Sequence, residues 1–249
     1  MTMHALAAAA VALAIALGAA PATAAEITAL VSNAFKTSFP DFSPSFEKAT
    51  EHRLKVVFGS TDPLKVRIEK GEAVDLAILG DGAINDLIKQ GKLVAASRVI
   101  VARSGLGVAV RKGAPKPDLS TADAFKRTVV NAKSIGFNER GLTGIYLWSL
   151  FDKLGLTAVV KAKFKDGSGA TMAGTGQTEI GLTQASEIAL VPEAELAGRL
   201  PAEIQHFTVF PAAISASARE PDAARSLLKF LASPEALKVM REKGLEPPA

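Results

Sequence analysis

Residues 54–79 read LKVVFGSTDPLKVRIEKGEAVDLAIL, and their pattern decides the fold class. Leu54-Lys55-Val56-Val57-Phe58 is a β-branched and aromatic run with the composition of a strand. Gly59, Ser60 and Thr61 interrupt it with small residues, and Asp62 to Lys70 reads as a helix that Gly71 ends at its C-cap. Asp75-Leu76-Ala77-Ile78-Leu79 is then another strand. Strand, helix, strand over so short a stretch is a βαβ unit, since parallel strands need a crossover and a helix supplies it.

The same alternation extends outward. Ile27 to Val31 is an earlier strand, followed by a helix over Phe35 to Glu51, and Ile84 to Gln90 adds a helix on the other side. This is the doubly wound beginning of an α/β protein. Farther along, Gly105-Leu106-Gly107-Val108-Ala109-Val110 and Phe207-Thr208-Val209-Phe210 are strand-like runs that bracket a middle stretch with its own alternation. In that stretch lie Ser134 to Phe137, a helix from Thr143 to Leu154, and Glu179 to Leu182. The Gly-rich pieces 167–169 and 174–176 read as a flexible loop, and after the second run only helices remain, 222–231 and 234–243. The expected architecture is two-lobed. Residues 25–105 with 206–249 form lobe I and 106–205 lobe II, each a mixed sheet flanked by helices, with two crossing strands between them.

The first 24 residues fit neither lobe. Ala5 to Ala20 is almost wholly apolar, no charged side chain precedes Glu26, and Ala22-Thr23-Ala24 is the small-residue pattern at which signal peptidase cuts. Residues 1–24 are therefore read as a signal peptide directing the protein to the periplasm. The chain has no Cys, which excludes thiol nucleophiles, Cys-bound zinc and iron–sulfur clusters. Its three His stand in no metal-ligand spacing. The net charge of +4 is spread along the chain, not gathered into a basic stripe with aromatics, so nucleic acid is not an expected partner. No cofactor or metal is expected, and the protein is expected to be a monomer.

Three places repeat one design, in which a strand ends, small polar residues follow and a helix begins. They are Ser32-Asn33-Ala34, Gly59-Ser60-Thr61 and Gly141-Leu142-Thr143-Gly144. A helix start presents unpaired N–H groups and about half a positive charge, so it attracts anions without a basic side chain. Ser and Thr at such places also serve as ordinary helix caps, so each turn by itself has a purely structural reading. Arg103, ahead of the first crossing strand, is read either as a fork onto a carboxylate or as a solvated side chain; Arg140 is a second such candidate. Tyr146, at a helix start, is read as facing the cleft, and Trp148 as core.

The run from Phe58 through Arg67-Ile68-Glu69-Lys70-Gly71 to Val74-Asp75-Leu76-Ala77-Ile78 resembles the molybdate-type periplasmic solute-binding proteins, whose scaffold is the type 2 periplasmic binding fold. Leu142 to Tyr146, Glu179 to Gln184 and Phe230 to Ala236 extend the resemblance in order along the chain. It implies ligand-binding places at Ala34, Thr61, Thr143 and Gln184. Ala34 stands where the family has Ser, and Gln184 where Tyr is common. The segments 102–111 and 184–188 are similar to a side branch that includes periplasmic aconitate isomerases.

Two functions follow from the resemblance. In one, the lobes capture a small anion, an organic carboxylate in preference to molybdate, and present it to an ABC-type permease. Asn33, Ser60, Thr61, Thr143, Gly144 and Gln184 would then surround the ligand. In the other, the same scaffold moves a double bond in an unsaturated tricarboxylate by proton transfer, with a hydroxyl, Tyr146 or a Lys as the base. No elbow, P-loop or paired-carboxylate motif chooses between them.

Overall fold

A computed structural model describes residues 24–248. The segment read as a signal, 1–24, lies outside them apart from its last residue. The elements run β1 (Glu26–Ser32), α1 (Phe39–Thr50), β2 (Arg53–Gly59), α2 (Thr61–Glu69), β3 (Leu76–Ile78), α3 (Asp81–Lys89), β4 (Val99–Arg111), α4 (Ala122–Asn131) and β5 (Ile135–Phe137). They continue α5 (Leu142–Lys153), α6 (Thr157–Lys161), β6 (Phe164–Asp166), α7 (Gly169–Gly174), β7 (Ile180–Gln184), α8 (Ala185–Ile188), β8 (Ala194–Arg199), β9 (Phe207–Ile214), α9 (Pro221–Leu231) and α10 (Pro234–Glu242).

The molecule is a two-lobed α/β protein of the type 2 periplasmic binding fold. In the first lobe β1 pairs in parallel with β2 and β3, and β9 closes the sheet antiparallel to β3. Both faces are covered, so β1 is apolar at successive positions. Ile27, Ala29 and Val31 face one core with Phe35, Phe39 and Phe210, while Leu30 faces another with Leu64, Ile68 and Ile84. The second lobe pairs β5 in parallel with β6 and β7 around a separate core of Leu106, Val108, Phe125, Phe137 and Phe151.

β4 joins the two. Its first half pairs with β9 and its second half with β7 and β8. It runs well beyond the 105–110 read from sequence, because pairing partners exist on both sides of the crossing. At the crossing the Gln205 side chain clamps β4, accepting from the Leu106 N–H at 2.7 Å and donating to the Leu106 carbonyl at 3.1 Å.

The C-terminal helices return to the first lobe, where buried Asp75 fastens them. Its carboxylate accepts from the N–H of Thr28 at 2.8 Å and, leading into α9, from those of Arg219 and Glu220 at 2.8 and 3.0 Å.

Two sequence expectations need correction. The helix read from Phe35 starts only at Phe39. Residues 33–35 make a 3-10 turn that buries Phe35 in edge contact with Phe210, and Pro40 then suits the first turn of α1, where an N–H is not needed. The Gly-rich pieces read as a flexible loop, 167–169 and 174–176, instead supply the two ends of α7, whose residues from Gly169 to Gly174 are buried except Thr171. Gly169 lies so close to β7 that a Cβ there would come within 2.7 Å of the Leu182 carbonyl oxygen. The glycines permit close packing here, not motion.

Candidate functional site

β1, β2, β5 and β7 all end toward one space between the lobes, the position at which open α/β sheets leave room for ligands. The cavity there is about 290 Å³. At about 30 Å³ per water in the liquid, it holds roughly ten waters' worth, room for a small ion. Ser32 and Asn33 enter it from the end of β1, Ser60 and Thr61 from the end of β2, Asn138 from the end of β5, and Thr183 and Gln184 from β7. A wider concavity of about 470 Å³ lies around Lys116, Asp118 and Arg127, but α4, which borders it, is already capped by Thr121.

Two helices begin at the cleft with open ends. α2 has Ser60 as its N-cap, yet the Ser60 side chain makes no capping bond and stays exposed. α5 follows Gly141, which has no side chain to cap with. Their first-turn N–H groups are therefore free for an anion, with the positive ends of the helices behind them. The Thr61 hydroxyl accepts from the Gly80 N–H at 3.2 Å, which fixes the oxygen and leaves its own proton to donate.

Five of the residues singled out from sequence, Asn33, Ser60, Thr61, Thr143 and Gln184, line this cleft together, and so does Arg140. Four others do not. Ala34 is buried in the first-lobe core. Gly144 lies beneath the turn before α5, where a Cβ would come within 2.6 Å of the Glu139 backbone; its part is to let that turn sit on the helix. Tyr146 packs flat against His206 and donates to the Ile204 carbonyl at 3.0 Å, and burial raises its hydroxyl pKa, so it is poorly suited to act as a base. Arg103 lies at the crossing, with its guanidinium 3.1 Å from Glu246 and 4.2 Å above the ring centre of Phe207. A carboxylate of the chain itself holds it.

Sequence reasoning missed Glu187, Thr183, Thr208 and Asn138, all on the cleft wall. Glu187 is the most consequential. It bonds to the Thr183 hydroxyl, and its carboxyl pKa is raised because the surroundings desolvate it, an effect the bonds to Thr183 and to the Gln184 backbone only partly offset. Its visible signal was a single acid in the otherwise uncharged run 180–192. Among the described residues no group of three or more His, Asp or Glu is placed to hold a metal ion, and no helix is long and apolar enough to cross a membrane.

Two lobes joined through β4 and a cleft of hydrogen-bond donors define the class, a solute-binding protein. The chain belongs to the bacterial extracellular solute-binding protein family, which it matches over residues 27–246. Within it, the chain is of the molybdate-type periplasmic kind that also includes aconitate isomerase. It is 33% identical over 231 residues to the aconitate isomerase of a Pseudomonas species, covering 89% of this chain and 87% of that one. It is 26% identical over 236 residues to the molybdate-binding protein ModA of Azotobacter vinelandii, covering 90% of each. The solved periplasmic molybdate-binding protein of Azotobacter vinelandii superposes with a TM-score of 0.73 at 19% identity, over 90% of this chain and 100% of that one.

Proposed function

We propose that this protein captures a small carboxylate anion between its lobes in the periplasm and delivers it to an ABC-type permease. The observation that carries the reading is the pair of uncapped helix starts, α2 and α5, opening on one cavity from opposite lobes. An anion placed there meets free N–H groups from both sides, so binding favours closure. Residues 25–105 with 206–249 and residues 106–205 are proposed as the two bodies that close, and Asn33, Ser60, Thr61, Thr143 and Gln184 as the donors. The preference for carboxylate over molybdate rests on Gln184, which takes the place of a phenol on the cleft wall. Export rests on the first 24 residues.

A thermal-shift and calorimetric screen over oxyanions and di- and tricarboxylates tests the reading. A carboxylate at a hundred times its dissociation constant adds about 2.7 kcal/mol of stability. Tight molybdate binding with no response to any carboxylate overturns the ligand class.

A second reading, isomerisation of an unsaturated tricarboxylate, is favoured by one feature of the cleft. Glu187 is a carboxyl group whose pKa is displaced toward the range of a working acid or base, as a group that takes a proton from carbon and returns it requires. The 33% identity to an aconitate isomerase points the same way. Incubation with cis-aconitate decides it: formation of the trans isomer that Glu187→Gln abolishes supports the enzyme, and no isomer with tight binding leaves capture alone.

A further inference from the structure

Glu187 poses a problem for any anion site, because it puts a carboxyl group on the wall where a negative ligand is to lie. The charged side chains that line the cleft, among the described residues, are Asp62, Arg140 and Glu187. If all were ionised, one guanidinium would face two carboxylates and the site would be negative before any ligand entered. Asp62 is exposed at the start of α2, where water screens it. Glu187 is set into the wall on α8, only partly accessible, and bonded to the Thr183 hydroxyl.

No neighbouring cation answers it. β7, α7 and the 3-10 turn 33–35, all packed around α8, carry no charged residue. On β4, Arg103 is paired with Glu246, and Arg111 is exposed at the far end. On β8, Arg199 is 3.0 Å from Glu246, and Glu195 is paired with Lys116. In the C-terminal tail, Lys243 is held by Asp41 at 2.7 Å. Among the described residues lining the cleft, Arg140 is the one cation.

A second observation lies beside it. Gln184 is buried, 8% exposed, and its Oε1 has no hydrogen-bond partner. An unsatisfied buried carbonyl oxygen is costly until a donor reaches it, and a fully ionised anion brings none, so this atom too calls for a proton in the site.

Resting on the anion-capture reading above, we propose that the anion is held together with a proton on Glu187, so that this side chain is a neutral hydrogen-bond donor of the site and capture is coupled to proton uptake. The raised pKa of the free protein is the same preference expressed before the ligand arrives. The sign follows. Below the Glu187 pKa the proton is already present and affinity does not depend on it. Above that value one proton must be taken up for each anion bound, and affinity falls by about tenfold per pH unit.

Calorimetry of the whole protein with fumarate, citrate and molybdate, between about pH 5 and about pH 9 in buffers of different ionisation enthalpy, tests this. The expected result is uptake approaching one proton per anion at the upper end for wild type. In Glu187→Gln, whose amide donates without titrating, the uptake is reduced by that one proton and affinity exceeds wild type at high pH. Reading the difference between the two proteins removes the ligands' own ionisation. Binding with no difference in proton uptake overturns the proposal and leaves anion capture standing. Binding of none of the three overturns anion capture, and the proposal with it. If the Gln variant does not fold, the wild-type proton count decides alone, taken with fumarate or molybdate, whose own ionisation is complete at the upper end.

Discussion

Two sets of helix starts divide this molecule. Four in the scaffold are closed by the chain's own side chains: Thr121 caps α4, Ser168 caps α7, Ser233 caps α10, and Asp75 takes the amides leading into α9. Those that face the cleft, α2 and α5, are left open. Every helix start has the same orphan N–H groups, so the difference is not in the helices. It lies in whether the protein has supplied an acceptor. α1 and α3 also begin without a side-chain cap, but neither start lines the cleft. Two open ends on one cavity mark where an acceptor from outside belongs.

The comparison can be broken at several points. The largest effect is expected at Asp75. Asp75→Ala strands three backbone N–H groups, two of them where α9 begins, and should cost about 3–5 kcal/mol in chemical denaturation. Ligand affinity of the folded protein should not change, and a loss of affinity without a loss of stability would reverse the division drawn here.

Next in size is the cleft. Thr143→Ala removes one donor to a charged ligand and should weaken binding about ten- to a hundredfold, with little change in apo melting temperature. Thr61→Ala should weaken binding similarly and also lower apo stability, because its oxygen holds the Gly80 N–H. If Thr143→Ala lowers stability and spares affinity, α5 is capped like its counterparts in the scaffold and its start is not part of the site.

A scaffold cap gives the opposite signature at smaller scale. Ser233→Ala should cost about 1 kcal/mol of stability and leave affinity alone. The smallest effect is expected at Arg103. Its ion pair with Glu246 is a third exposed, so Arg103→Ala should move the melting temperature only slightly and the affinity for carboxylates not at all. A loss confined to carboxylates would bring its guanidinium to the ligand.

Arg103 and Glu187 also show where a linear reading fails. In sequence Arg103 suits either a ligand carboxylate or solvent, since an Arg beside a crossing strand can do both. It does bind a carboxylate, but that carboxylate is Glu246, 143 residues away in the chain. Glu187 carries no mark in sequence, because a single acid after a strand usually faces water. Only the packing of α8 against β4, β7 and β8 removes the water and gives the group its altered acidity.

What the sequence determined by itself was local. The strands and helices of the first lobe follow from runs of β-branched residues and from helix breakers such as Gly71, forces that act within a few residues. Two of the three turns, Ser60-Thr61 and Leu142-Thr143, were legible for the same reason, since a helix start carries its orphan donors wherever it is; the third, Ser32-Asn33, opens only a 3-10 turn whose amide the Ser32 hydroxyl already caps. What only the tertiary structure decided was which of them share a space, which side chains are already taken, and what charge the shared space can tolerate. Those depend on neighbours from distant parts of the chain and on the loss of solvent between them, and neither is written in any short stretch of residues.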